Sequence, residues 1–258
     1  VGPAKPLNLE ARSAAIASRL SVREWRRQSG SIVAVESNQG KSAMTTFGTS
    51  AYLKLLALNP LPRDTEIRNR LWTTREGGYD FHKSMRRIAP EFAAGSVDWP
   101  TTRTRLKAIK QAPERKSATA AVFALARWVS GRQIRILADA GPRISSPNDV
   151  FSVRFSPDFK IDLDGVRTHV HIWNTAWPAL RLREALGALG LFVPERSPRS
   201  VAVLSLRTGE LFSPTDYDSA SNLARLLALD IEKRFTRIAS EHREASHKDR
   251  SREKRLGR

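Results

Sequence analysis

The chain contains no cysteine, which excludes disulfides, thiolate zinc sites and thiol catalysis together and fits a reducing compartment. Long apolar runs are missing as well. Nothing approaches the roughly 18 to 20 consecutive apolar residues that a bilayer-spanning helix needs. The N-terminal residues lack the charged-then-apolar pattern of a secretory signal. These absences lead us to expect a cytoplasmic protein with no membrane partner, nucleoid-associated if it binds DNA. Two nucleotide and nucleophile signatures are absent too. The Gly/Ser/Thr-rich stretch around Gly40-Lys41-Ser42 lacks the first glycine of a phosphate-binding loop, and no nucleophile elbow occurs.

What the chain has in excess is positive charge, +18 formally over 258 residues. The excess is uneven. Residues 63–135 carry 16 Lys and Arg against 7 Asp and Glu, whereas residues 136–230 carry 10 against 11. Basic blocks therefore flank a neutral one, the distribution expected of a polyanion grip mounted around a neutral core. With 40% hydrophobic residues the chain can bury a substantial core, as one large domain or two small ones.

The strongest local pattern lies in the neutral block. Phe159, Ile161 and Leu163 alternate before Asp164-Gly165, and Val166, Val170 and Ile172 follow, which reads as a β-hairpin closed by an Asp-Gly turn. The hairpin places Asp158 at the start of one strand and His169, His171 and Asn174 along the next. Around it, apolar spacing predicts helices at 9–27, 49–58, 65–72 with Asp64 as N-cap, 79–92, 101–111 and 115–130, and short strands at 32–36 and 134–137. The Gly/Pro/Ser-rich segment 141–148 is the expected boundary. Strands at 150–155, 158–163 and 166–173, a helix at 178–190 with Pro178 in its first turn, a strand at 201–206 and a final helix from about Asp218 follow. We thus expect an α/β protein with a mainly helical basic region at 1–140 and an α/β core with a closing helix at 141–240, the helix at 115–130 being available for recruitment to that core. A basic tail at 241–258 is expected either as a solvated extension of the last helix or as disordered chain.

The order helix, three strands, helix, strand resembles the core of the PD-(D/E)XK nuclease superfamily over about residues 115–215. Pro157-Asp158-Phe159 ahead of a glycine-containing hairpin is similar to the Pro-Asp motif of restriction-type and transposon-end endonucleases. Val201 to Phe212, VAVLSLRTGELF, is similar to the last core strand and turn of RecB-type nuclease domains. The resemblance implies a restriction-endonuclease-like mixed sheet. In active members it also implies an Asp and a following acid that hold Mg²⁺, plus a lysine that orients the attacking water.

Here the following acid and the lysine are missing. The (D/E)-x-K positions fall near Ile172-Trp173-Asn174, and moving the register by one gives His171-Ile172-Trp173. We therefore expect no catalysis and no cofactor, with Asp158, Asp162, His171 and Asn174 as remnants of a site. The alternative is an active Mg²⁺- or Mn²⁺-dependent nuclease with migrated ligands, using Asp158 with Asp162, His171 or a nearby acid such as Glu114. Asp158, His169 and His171 are the metal candidates, since the histidines share a strand face at i, i+2. The expected nucleic-acid contacts are Lys83, Arg86, Arg87, Arg103, Arg105, Lys107, Lys110, Arg115 and Lys116, with Trp173 as a stacking residue. Trp177 is weighed for the same stacking role. The expected function is sequence-tolerant binding of nucleic acid, DNA before RNA, alongside other protein subunits of mobile-element, repair or defence machinery. A protein-interaction scaffold with a basic face is the remaining alternative.

Overall fold

The computed structural model describes residues 44–72, 81–137, 141–194 and 197–256, and residues Ala43–Arg258 belong to one compact unit. The helix expected at 9–27, the strand at 32–36 and the Gly40 stretch lie outside the described residues. Along the chain the elements are β1 (Thr46–Gly48), α1 (Thr49–Ala57), α2 (Pro60–Trp72), α3 (Lys83–Ala93), α4 (Trp99–Lys107), α5 (Ala112–Val129), β2 (Ile134–Ile136), β3 (Arg143–Ser145), β4 (Ser152–Arg154), β5 (Phe159–Leu163), β6 (Val166–Trp173), α6 (Leu182–Leu189), β7 (Val201–Ser205), β8 (Leu211–Phe212) and α7 (Tyr217–Leu256). The chain is mixed α/β. Among the described residues, no helix is long and apolar enough to cross a membrane.

Five strands form the main sheet in the order β2-β5-β6-β7-β8. β2, β5 and β6 run antiparallel to their neighbours, then β6 pairs in parallel with β7, and β8 closes antiparallel to β7. Asp164 and Gly165 both adopt positive φ, 53° and 78°, as a two-residue hairpin turn demands. The hairpin register pairs Phe159 with Val170 and Leu163 with Val166, so the expected hairpin is present as read.

Strand alternation sends apolar side chains to both faces of this sheet. Phe159, Ile161, Val170, Ile172, Ala202 and Leu204 pack with Met85, Ile88, Val122 and Leu125 of α3 and α5. On the other face Trp173, Val201 and Val203 pack with Leu53, Leu56, Ala188, Ile231 and Phe235 of α1, α6 and α7. β7 is accordingly buried along its whole length, as a strand with a parallel neighbour and covered faces should be.

Several expectations need correction. The strand expected at 150–155 does not join the hairpin; β4 pairs with β1 in parallel and with β3 antiparallel, forming a separate three-stranded sheet. The segment 141–148 carries β3, and both apolar layers draw on residues from before and after it. α2 begins at Pro60 rather than after Asp64, because proline's fixed φ suits a first helical turn. Asp64 instead accepts bonds from Arg234 (3.1 Å) and Arg237 (2.5 Å) on α7. α6 starts at Leu182, which leaves Pro178 in the preceding loop. Of the two readings of the tail, the helix extension is the one present, and disorder is not: the backbone is helical as far as Leu256.

The stripe Ala220, Ala224, Leu227, Ala228, Ile231, Phe235 and Ile238 seats α7 on the core. Its close approach to α6 depends on two glycines. A Cβ on Gly187 would strike Leu227, and one on Gly190 would strike the carbonyl of Ala220 and lie 2.9 Å from the Ala224 Cβ. Gly190 has φ −60°, so alanine there is conformationally acceptable and only the contact forbids it. Gly190→Ala should therefore destabilise the fold by about 1–3 kcal/mol through overpacking. Chemical denaturation measures this, and an unchanged or higher stability would show that α6 and α7 are not in close contact at this point.

Candidate functional site

Asp158 sits where Pro157 ends the β5 ladder, since proline has no N–H to continue it. The Asp158 backbone N–H donates to Val170 O (2.8 Å), and its Oδ2 accepts the N–H of Ile172 (2.6 Å). The carboxylate thus continues the strand pairing beyond the last paired residues. It is side-chain to main-chain glue first.

His171, rather than Ile172, turns its side chain toward this carboxylate. Its Nδ1 lies 2.7 Å from Ser156 O and 3.3 Å from Asp158 Oδ2. Its Nε2 lies 2.8 Å from the Oγ of Ser50, in the first turn of α1. Arg86 of α3 donates from Nη2 to the same Oγ, and its Nε stands 4.0 Å from Asp158 Oδ1. A directed chain results. Arg86 donates to Ser50, Ser50 donates to His171, and His171 donates through Nδ1–H to Ser156 O. Burial and the Arg86 charge, with a smaller contribution from His82, push His171 down to about 3, so the ring is neutral.

Ser50, His171 and Asp158 have the order of a hydrolytic triad, but the environment removes that chemistry. His171 is fully buried, and a base held near 3 accepts a proton poorly at neutral pH. The Ser50 oxygen already faces a guanidinium. The network is a tether between α1, α3, β5 and β6.

The donor set does not fit a hard divalent cation either. Such ions take several oxygen ligands, and among the described residues no group of three His, Cys, Asp or Glu side chains could hold a metal. His171 spends both ring nitrogens on Ser50 and Ser156. His169, half-buried, has Nδ1 3.3 Å from Ser200 O, and burial lowers its affinity for a proton. Asp162 lies at the far end of β5, where its Oδ1 accepts the Gly165 N–H (2.9 Å) and caps the turn. Glu114 is buried in the first turn of α5.

Asp158 nevertheless opens onto a groove of about 430 Å³, and Lys83, Arg86 and Arg87 line it together with Glu91, Ser156 and Pro157. Lys83 and Arg87 are exposed, while Arg86 is largely enclosed. Arg105 of α4 pairs with Glu91 at this groove. Arg103, Lys107 and Lys110 are exposed on or just beyond α4 and do not line it. Arg115 turns inward and donates to Ile109 O (3.1 Å), whereas Lys116 is exposed beside a second cavity.

Asn174 faces that second cavity from the end of β6, with its amide nitrogen donating to Ser117 Oγ (3.1 Å). Trp173 is 1% exposed and packs in the core, so it offers no face for stacking. Trp177 is 65% exposed and lines the cavity. Trp173 is the last residue of β6, in phase with His171, and points into the layer against α1 and α7, whereas Trp177 lies in the loop beyond the strand. Sequence reasoning missed Ser50 altogether. Its only signal was a polar residue in the first turn of a helix.

No protein-family model matches the chain, and no curated protein or solved structure shows significant similarity to it.

The neutral, buried His171 makes stability depend on pH. An unfolded histidine titrates near 6.5, so as pH falls below that value the unfolded chain gains a proton that the native chain refuses until about pH 3. Stability from this group is complete above about pH 7 and falls by about 1.4 kcal/mol per pH unit below 6.5, or about 2 kcal/mol by pH 5. His171→Gln should be less stable at pH 7 but show a flatter decline between pH 7 and 5 in urea titrations. An equal decline in both proteins would contradict a buried neutral ring.

Proposed function

We propose that the protein binds nucleic acid, DNA in the first instance, along the groove beneath α3, on a nuclease-like core in which a guanidinium stands where an active enzyme would hold its metal. One observation carries this reading. The basic residues Lys83, Arg86 and Arg87 and the Pro157-Asp158 motif, 70 residues apart in sequence, line the same groove. In a metal-dependent nuclease the cation screens the substrate phosphate from the acidic ligands. Arg86 beside Asp158 supplies that screening with a fixed side-chain charge, and Lys83 and Arg87 extend it outward for the backbone phosphates.

The topology supports the restriction-endonuclease-like reading of the core. With β3 and β4 set aside in the other sheet, α5, β2, β5, β6, α6 and β7 have the order helix, three antiparallel strands, helix, and a strand parallel to the third. The first of the three strands is β2 rather than the segment at 150–155. On β6, Ile172 faces the apolar layer and His171 is neutral and spent, so that strand brings neither an acid nor a lysine to Asp158; the groove's Glu91 is paired with Arg105, and its Lys83 comes from α3. Binding without cleavage follows. A role as an accessory subunit of mobile-element, repair or defence machinery is an analogy from the fold resemblance.

Lys83→Ala with Arg87→Ala is the direct test, since both side chains are exposed and Arg86 is needed by the fold. The double variant should bind duplex DNA more weakly across sequences and lower the slope of log affinity against log salt by about 1 to 2, because each lost phosphate contact retains its counterion. Unchanged affinity and slope would remove the groove from the interface. Highly purified protein should show no cleavage with Mg²⁺ or Mn²⁺. Metal-dependent cutting that Asp158→Asn abolishes would establish the nuclease alternative instead.

A further inference from the structure

A second cavity, of about 510 Å³, is lined by Phe81 and His82 just ahead of α3, by the first half of α5 and by the segment that follows β6. Phe81 and Trp177 line it with apolar ring surface, Lys116 and Arg207 place exposed positive charge at it, and Asn174 and Ser117 present polar groups. Its volume falls in the range of small-ligand pockets, and its composition is that of such pockets: mostly apolar with a few polar groups that orient what binds.

From this combination we infer that the cavity receives an unpaired nucleobase, deepening the nucleic-acid reading on which it rests. Each part has a counterpart in such a ligand. Trp177, 65% exposed despite its large apolar area, offers a ring face to a base, and base–aromatic stacking tolerates any sequence. Asn174 is 5% exposed and holds its amide fixed through Ser117, so the remaining hydrogen-bonding capacity of that amide meets the edge of the base. Lys116 and Arg207 match the flanking phosphates. A base inside a duplex cannot present its face to Trp177. The occupant therefore comes from a single strand or is extruded from a helix.

The two cavities are neighbours along the chain, since Phe81 and His82, immediately before α3, line this one and Lys83 and Arg86, in the first turn of α3, line the other. A strand whose backbone follows the basic groove can thus deliver a base around the start of α3.

Trp177→Ala tests the assignment, with affinities measured for a single-stranded oligonucleotide, a matched duplex and a duplex carrying one bulged base. Because Trp177 is largely exposed, the variant should keep the thermal stability of the parent. Loss of one stacking contact should weaken binding of the single strand, the bulged duplex or both by about tenfold or more, with matched duplex unchanged, and Trp177→Phe should restore most of the loss. Which of the two ligands suffers assigns the source of the base. Equal weakening on all three ligands, or none on any, overturns the base pocket while leaving the groove reading intact. Failure of the unsubstituted protein to bind any of the three overturns both.

Discussion

Everything at the candidate site depends on a buried guanidinium–hydroxyl–imidazole–carbonyl chain. Arg86, Ser50, His171 and Ser156 belong to α3, α1, β6 and the approach to β5, and the chain is the polar path joining them. Buried polar groups of this kind are tolerated when each is satisfied, and costly when one partner is lost. Here the direction of donation runs one way throughout, which keeps His171 neutral and fixes its proton on Nδ1. The same chain anchors α3 against the Pro157-Asp158 turn. Lys83 and Arg87, one turn apart on α3, are thereby held over the groove.

The positive charge of the chain divides into a part used internally and a part left to act outward. On α7, Arg234 and Arg237 converge on Asp64, Arg234 also meets Asp230, and Arg237 meets Glu241, so that end of the basic sequence clamps α2 to α7. Arg63 does similar work, donating to Leu56 O and Leu58 O at the end of α1 while pairing with Asp230. Exposed pairs of this type contribute little each, about 0 to 1 kcal/mol, but they fix orientation. Lys83, Arg87 and Lys116, by contrast, are exposed beside concave surface. A net charge counts both kinds alike. The geometry separates them.

Much of the fold was legible because local rules and tertiary packing agree. The Asp-Gly turn, the alternation along β5 and β6, and the apolar stripes of α3, α5 and α7 each read correctly to within a few residues. What was not legible was pairing at a distance. β1 and β4 are short strands separated by about 100 residues, and no periodicity in three-residue strands announces a partner. The site was half legible for the same reason. Asp158 and the α3 cations were each visible as types, but their meeting in one groove is a product of packing between α3 and the sheet. The choice between His171 and Ile172 turned on strand parity at a point where Pro157 interrupts the ladder, and Ser50 reached the network from helix α1, 121 residues away in sequence.

The central claim is that nucleic acid lies across the first turns of α3 and the end of β6. Hydrogen exchange of the full chain, with and without a saturating oligonucleotide, measures this most directly. The account predicts new protection concentrated at residues 81–91, 156–158 and 174–177, at low salt and reversed by high salt. Protection confined to the end of α7, or absent from α3 while binding is demonstrated, would contradict it.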